Sequence, residues 1–103
     1  MLRFELINSK EMDKYVGNKH AMIIDVRDKA EFNEMHITDA VNIPIEKLEA
    51  MYDKMPKDFI YVLYCNGGGA GILAAKELFD RGHITRALLG GINAYDGNYI
   101  ESE

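Results

Sequence analysis

The sequence predicts an α/β domain in three layers, with a mostly parallel β-sheet covered by helices on both faces. Short apolar segments rich in β-branched and aromatic residues alternate with segments of helical periodicity, an order typical of parallel strands joined by crossover helices. The most apolar segment, residues 59–64, carries no charge, as expected of a strand buried on both faces. A length of 103 residues with 48% hydrophobic residues predicts a single domain, residues 1–103.

The first half of the chain alternates between strand and helix signals. Phe4 and Leu6 alternate with polar residues as in a short strand, and Ser9 is placed to cap a helix that ends at Gly17. The pattern then predicts a strand at residues 22–26, a short helix at 29–34, a short strand at 41–43 and a helix whose apolar face lies within 48–55.

The second half continues this alternation. The apolar strand at residues 59–64 is followed by a helix at 70–82, where Gly82 is placed to end it, and by a strand at 86–89. Gly90 and Gly91 predict a turn, and residues 93–98 predict a last helical turn.

Charge and cysteine content restrict the partners. Twelve basic and seventeen acidic residues give a net charge of −5 without a basic block, which disfavours nucleic acids and anionic membranes and favours small molecules or proteins. A single cysteine excludes an internal disulfide, and no zinc-ligand spacing occurs, so neither a metal nor another cofactor is expected. Residues 1–8 lack a signal core and no segment has the length of a membrane helix, so we expect a cytoplasmic protein.

The candidate site is the cysteine that ends the apolar strand. Cys65 is followed by a loop into the next helix that consists of Asn66, Gly67, Gly68, Gly69, Ala70 and Gly71. Ligands bind at the carboxyl ends of strands in open α/β sheets. Inward N–H groups of this glycine-rich loop, with the positive end of the helix, are expected to make Cys65 ionise more readily than a free cysteine. The alternative is an inert buried thiol at a strand end.

The same glycines fit two other ligand classes poorly. Gly69 and Gly71, with Ala74, follow a strand as in a dinucleotide-binding loop, but no Lys-Ser pair and no acidic residue near residues 88–89 is present to hold a nucleotide. A cysteine phosphatase would need an arginine six residues after the cysteine, where this chain has Gly71.

Three motifs, in this order and at this spacing, resemble the signatures of the rhodanese-like domain family. They are Asp25-Val26-Arg27 through Asn42-Ile43-Pro44, then Cys65 and Gly68 followed by Ala74-Ala75 and Gly82, and last Leu89-Gly90-Gly91-Ile92 with Tyr95. The resemblance covers nearly the whole chain. It implies a five-stranded parallel sheet flanked by helices, and a sulfurtransferase or sulfur carrier.

The resemblance also implies a mechanism and roles for three residues. Cys65 would take the outer sulfur of a small donor or of a protein persulfide, become a persulfide, and pass the sulfur to a thiol, cyanide or protein acceptor. Asp25 and Arg27 would form an ion pair at a strand end and support the Cys65 loop.

Further positions of the family signature are expected to serve the fold. His36 is expected to make structural hydrogen bonds, whereas His20 and His83 are expected on the surface or in turns. Asp39 stands where the family usually has glycine, and Tyr95 where it has tryptophan.

The loop departs from the family pattern Cys-x-x-Gly-x-Arg-Ser, because Ala70 and Gly71 replace the arginine and the serine. The cation that would hold an anionic donor is missing, so thiosulfate turnover is expected to be weak unless Arg27 or Lys29 folds over the site. Polysulfides and protein persulfides, which need less charge recognition, are favoured as donors. The alternative function is a non-catalytic rhodanese-like module for interaction or redox sensing.

Overall fold

The structure, a computed structural model, describes residues 4–103 and contains two sheets. Its strands are β1 (Phe4–Ile7), β2 (Ala21–Asp25), β3 (His36–Ile37), β4 (Val41–Asn42), β5 (Ile60–Tyr64), β6 (Ile84–Leu88) and β7 (Ile100–Glu101). Its helices are α1 (Ser9–Asp13), α2 (Lys29–Glu34), α3 (Ile45–Met51) and α4 (Gly69–Asp80), with short 3-10 helices at Tyr52–Lys54 and Ile92–Ala94. The main sheet has the order β1-β6-β5-β2-β4 with every pair parallel, and β3 pairs antiparallel with β7.

The centre of the main sheet is β5, which is buried on both faces. Tyr61 and Leu63 lie in the core cluster on the side of α3 and α4, whereas Val62 and Tyr64 lie in the cluster on the side of α1. The three layers and the five parallel strands confirm the predicted fold class. No helix within residues 4–103 has the length and hydropathy needed to span a membrane. Residues 1–3, part of the segment predicted to lack a signal core, lie outside the described residues.

The predicted cap of the first helix was wrong by one residue. Asn8, and not Ser9, is the N-cap, because its side chain accepts the N–H of Glu11 at 2.9 Å while the Glu11 carboxylate accepts the Asn8 N–H at 3.1 Å. The helix also ends earlier than predicted, at Asp13, and Gly17 closes a separate turn with φ +78°.

Helix α4 ends at Asp80, two residues before the predicted end. Gly82, with φ +95°, donates its N–H to the carbonyl of Phe79 at 2.9 Å, which is the glycine termination that the sequence indicated. The following His83, expected on the surface or in a turn, comes directly after this turn but is buried. Its side chain is 3% exposed, because its ring packs edge-on against Tyr61 with 5.3 Å between centroids.

The carboxyl-terminal segment also differs from the prediction. A 3-10 helix at Ile92–Ala94 replaces the helical turn expected at 93–98, and strand β7 was not predicted. The Tyr95 hydroxyl donates to the Asp13 carboxylate at 2.5 Å and accepts the N–H of Tyr99 at 3.0 Å, so the chain leaves the helical path there. Asp39 has φ +74°, which explains why glycine is usual at its position.

Candidate active site

The thiol of Cys65 lies at the carboxyl end of the central strand, between β5 and α4. Gly68, with φ +112°, turns the chain back so that its N–H donates to Cys65 Sγ at 3.1 Å. Cys65 is 8% exposed as a residue and belongs to the core cluster on the side of α3 and α4. The structure thus places the cysteine and its loop as the strand, loop and helix pattern predicted.

The turn at Gly90 and Gly91 holds the Cys65 loop from the other side. The N–H groups of Ile92 and Asn93 each donate at 2.9 Å, to the carbonyls of Cys65 and Asn66 respectively. A Cβ atom at Gly91 would lie 2.4 Å from the carbonyl oxygen of Asn66, so this contact requires glycine. The closing motif of the sequence therefore fixes the backbone on which the thiol sits.

Gly71 brings the first turn of α4 against the end of β5. A Cβ atom at this position would lie 2.9 Å from Tyr64 Cα and 3.1 Å from the Cys65 backbone nitrogen. A serine, the family residue, would force the helix away from the strand. The departure at Gly71 therefore has a packing reason.

The predicted ring of inward N–H groups is present in part. Of the six N–H groups from Asn66 to Gly71, the one at Gly68 hydrogen-bonds Cys65 Sγ in the structure. Gly67, Gly69 and Ala70 are exposed, and a Cβ atom at either glycine would meet nothing within 4 Å. Of these three exposed residues, only Ala70 carries a side chain, a single methyl group.

Asp25 and Arg27 form the predicted ion pair, and Arg27 contacts the loop at Asn66. Their shortest contact joins Arg27 Nη2 and Asp25 Oδ2 at 2.7 Å, and both side chains are buried. Arg27 also donates to the carbonyl of Met35 at 2.6 Å and to Asn66 Oδ1 at 3.4 Å. Burial acts to lower the pKa of Arg27, but hydrogen bonds and charge from Asp25 raise it overall, so the guanidinium stays charged.

Two further residues of this network were not singled out as site residues. The Asn66 amide donates to Glu31 Oε2 at 2.7 Å, and the Asn42 amide donates to the carbonyl oxygens of Asp25 and Arg27 at 3.2 and 2.9 Å. Both Glu31 and Asn42 lie within the first motif that resembles the family signature, and this membership is the sequence signal that could have identified them as part of the site. Glu31 therefore places a carboxylate beside the loop.

No histidine or tyrosine side chain among the described residues hydrogen-bonds the thiol. His36 is 2% exposed and is stacked on Phe32 with 3.7 Å between ring centroids, while its Nδ1 lies 2.8 Å from the Phe32 carbonyl oxygen. Burial raises the pKa of Tyr64 well above its ordinary value, and the nearby Asp25 charge raises it further. His36 is thus structural, as predicted, and Tyr64 stays protonated.

The missing loop cation is not replaced within the described residues. No lysine or arginine of residues 4–103 donates a hydrogen bond to Cys65 Sγ, because Arg27 is held by Asp25, Met35 and Asn66. Lys29 lines a separate cavity of about 460 Å³ together with Lys47. Within the same part of the chain, no cluster of three His, Cys, Asp or Glu side chains has the geometry of a metal site.

Comparisons with known proteins identify the class that this fold and site define. The family profile of the rhodanese-like domain matches residues 8–98, and the chain therefore belongs to the rhodanese-like domain family. Among solved structures, a rhodanese-related protein of Thermoplasma volcanium has a TM-score of 0.84 at 25% identity, covering 96% of this chain and 99% of that one. The reduced CoADR-RHD of Bacillus anthracis has a TM-score of 0.80 at 28% identity, over 90% of this chain and 16% of that one.

Curated relatives carry sulfurtransferase names. Thiosulfate sulfurtransferase GlpE of Coxiella burnetii is 25% identical over 99% of this chain and 96% of its own length. Adenylyltransferase and sulfurtransferase MOCS3 of Drosophila sechellia and tRNA sulfurtransferase of Desulfurococcus amylolyticus are each 32% identical, over 91% and 84% of this chain. The match spans 23% and 17% of the length of these two longer proteins.

Proposed function

We propose that this chain is a sulfurtransferase or sulfur carrier that forms a persulfide on Cys65. The observation that carries the proposal is the Gly68 N–H, which donates to Cys65 Sγ at 3.1 Å at the carboxyl end of the central strand. A fixed N–H donor in a site that excludes most water stabilises a developing negative charge better than water does. The sulfurtransferase names of the relatives support the same reaction class.

The first half-reaction loads the sulfur. The Cys65 thiolate attacks the outer sulfur of a donor, a new Sγ–S bond forms, and the donor's own sulfur bond breaks. The leaving group departs with the electron pair of that bond, as a thiolate from a persulfide or as sulfite from thiosulfate. No external oxidant or reductant and no bound cofactor is needed.

The second half-reaction delivers the sulfur. An acceptor nucleophile, such as a protein thiolate, a small thiol or cyanide, attacks the outer sulfur of the Cys65 persulfide. The Sγ–S bond breaks and its electron pair returns to Cys65, whose thiolate regains the Gly68 hydrogen bond. The cysteine ends the cycle unchanged.

Other residues position the loop and do not react. Arg27, which is paired with Asp25, donates to the Asn66 side chain, and the N–H groups of Ile92 and Asn93 donate to the backbone carbonyls of Cys65 and Asn66. A thiol carried on a rigid turn keeps its alignment with the Gly68 N–H through both half-reactions. A lone thiol also fits the reducing cytoplasm, where we expect the protein to act.

A sulfur-loading measurement tests this function. The native chain is treated with polysulfide, desalted and weighed intact, and we expect the mass of one or more added sulfur atoms that cyanide then removes. The Cys65→Ser variant, which keeps the size of the side chain, is the matched control and takes up no sulfur. Uptake by the serine variant equal to that of the native chain would contradict the assignment of Cys65.

Ala70 favours a second candidate, a rhodanese-like module for protein interaction or redox sensing. Its methyl group supplies no cation to hold a donor, and the carboxylate of Glu31 lies beside the loop. The same mass measurement separates the two candidates, because a module without sulfur chemistry gains no removable sulfur at Cys65.

A further inference from the structure

A groove of about 450 Å³ lies between α3 and α4 and reaches the Cys65 loop at Ala70. Its apolar lining comes from Ile45 and Tyr52 on one side and from Ala70, Leu73 and Ala74 on the other. The groove thus reaches the first turn of α4 at the position where the family arginine is absent, five residues after Cys65 in the chain.

Leu73 gives this groove an exposed apolar edge. Its side chain is 69% exposed, the highest value among the exposed large hydrophobic residues of the described chain. A single exposed leucine is ordinary on a protein surface. Here it borders an apolar groove one helical turn from Ala70, an arrangement that suits the aliphatic side chain of a bound peptide.

The charged residues of the groove leave it acidic. Arg81 is shared by two carboxylates, since its Nη1 lies 2.7 Å from Glu77 Oε1 and its Nε lies 2.9 Å from Asp53 Oδ1. Glu49 forms no ion pair with any described residue. Burial, followed by the charges of Glu49 and Glu77, raises the pKa of Tyr52 in the groove wall. A basic segment is the complementary ligand.

A positive charge beside the persulfide would favour sulfur delivery to an anionic acceptor. The Cys65 persulfide and the attacking thiolate are both anions, and no lysine or arginine within residues 4–103 donates to the sulfur. Two like charges at contact distance repel each other, and a cation beside them lowers the barrier to their approach.

We propose that this groove binds a basic, apolar segment of the thiol-bearing protein that accepts sulfur from Cys65, and that a lysine or arginine of this segment supplies the charge that Ala70 lacks. The proposal rests on the proposed sulfurtransferase function. An aliphatic side chain of the segment lies against Leu73, and its basic residues face Glu49 and Glu77. The sulfur moves by the second half-reaction described above, with the segment's thiolate as the nucleophile.

Two hexapeptides that end in the same Gly-Gly-Cys sequence test the groove. One begins Lys-Leu-Lys and the other Glu-Ser-Glu. The polysulfide-loaded native chain should transfer sulfur to the basic peptide at least about tenfold faster, and added salt should narrow the difference. Leu73→Ser and Glu49→Lys should each slow this transfer about threefold or more.

Matched variants elsewhere separate docking from folding and from sulfur chemistry. Leu6→Ser replaces a leucine that is 48% exposed at the sheet edge, and Asp58→Lys reverses an exposed charge before β5, at the end of the strand opposite Cys65. Both should keep the native preference for the basic peptide. Discharge of the persulfide to dithiothreitol should be unchanged in all four variants, since this small thiol carries no basic or aliphatic segment that would bind the groove.

Binding of the same peptides with serine in place of cysteine, followed by fluorescence anisotropy, tests the groove without sulfur transfer. Equal transfer and equal binding of the two peptides, with normal discharge to dithiothreitol, would overturn the docking proposal and leave the sulfurtransferase function standing. A chain that takes up no sulfur would overturn that function, while the binding preference would still decide the groove. If the native chain sediments as a dimer that Leu73→Ser makes monomeric, the groove belongs to a second copy and the proposal is wrong.

Discussion

The effect of the missing loop arginine can be measured by restoring it. Ala70 is exposed in the first turn of α4, two residues after the Gly68 N–H that binds the sulfur, so Ala70→Arg adds a cation without disturbing the core. A hydrogen bond to a charged group contributes about 1.5–3 kcal/mol, and solvent exposure brings the expected gain toward the lower end. A gain of about 1.4 kcal/mol in transition-state binding corresponds to a tenfold higher kcat/KM for thiosulfate.

The same substitution should cost stability, because it places a positive charge at the positive end of a helix. This cost is about 0.3–1 kcal/mol at an exposed position. We therefore expect Ala70→Arg to raise thiosulfate turnover about tenfold while slightly lowering the free energy of unfolding. Opposite changes in activity and stability would separate a charge effect from a general improvement of folding.

The assay is thiocyanate formation from thiosulfate and cyanide at low thiosulfate, with urea unfolding measured in parallel. Ala70→Gln, which has a long neutral side chain, is the control for size and hydrogen bonding. Our reasoning would be refuted if the native chain already turned over thiosulfate efficiently and the arginine changed nothing. An equal gain from glutamine would show that charge is not the cause.

Three further predictions concern the supports of the site and the core. Gly71→Ala should lower the free energy of unfolding by about 1–3 kcal/mol in urea titrations, because the added Cβ would meet the β5 backbone. Gly69→Ala is the control, because a Cβ there meets open space, and it should be neutral or stabilising. Equal losses of stability in the two variants would contradict the close approach of Gly71 to β5. Asp25→Asn should lower the free energy of unfolding by about 3–5 kcal/mol in the same titrations, since it leaves the buried Arg27 charge without its partner. A decrease below about 1 kcal/mol would show that the Arg27 charge reaches solvent. Burial, together with the positive charges of Lys57 and Arg81, lowers the pKa of His83 below 6.5. At a pH below about 6.5, the unfolded chain therefore takes up a proton at His83 that the folded chain does not, and the free energy of unfolding should fall as the pH drops. His83→Phe should remove this component, seen as a variant-minus-native stability difference that grows from pH 7 to pH 5, and a constant difference would contradict the prediction.

Local signals in the sequence were sufficient for the elements that carry the thiol. An uncharged apolar run predicted β5, and the structure shows it buried on both faces. Gly82 predicted the termination of α4 and Cys65 the position of the candidate site, because strand burial, turn geometry and helix termination depend on residues close together in the chain. The family signature predicted the five parallel strands, which the structure and the matching family profile confirm.

The tertiary structure decided the features that depend on residues far apart in the chain. Asn66 contacts Arg27 and Glu31, which lie 39 and 35 positions earlier, and no local pattern encodes such pairs. Strand β7 forms because its two residues find a partner in β3, although so short a segment has no periodicity of its own. His83 became a core residue through its contact with Tyr61, since an amphipathic ring is equally suited to a surface or an interior.

The groove between α3 and α4 likewise has one feature that the sequence predicted and others that only the tertiary structure decided. The resemblance to the family's loop pattern predicted that Ala70 stands where the family has a cation, and this conclusion required no structure. Only the packing of α3 against α4 placed Ala70, Leu73 and Glu49 around one groove, because helix packing brings together side chains from two helices that a whole strand separates in the sequence. The position of the thiol thus follows from residues close together in the chain, whereas the groove arises from the fold.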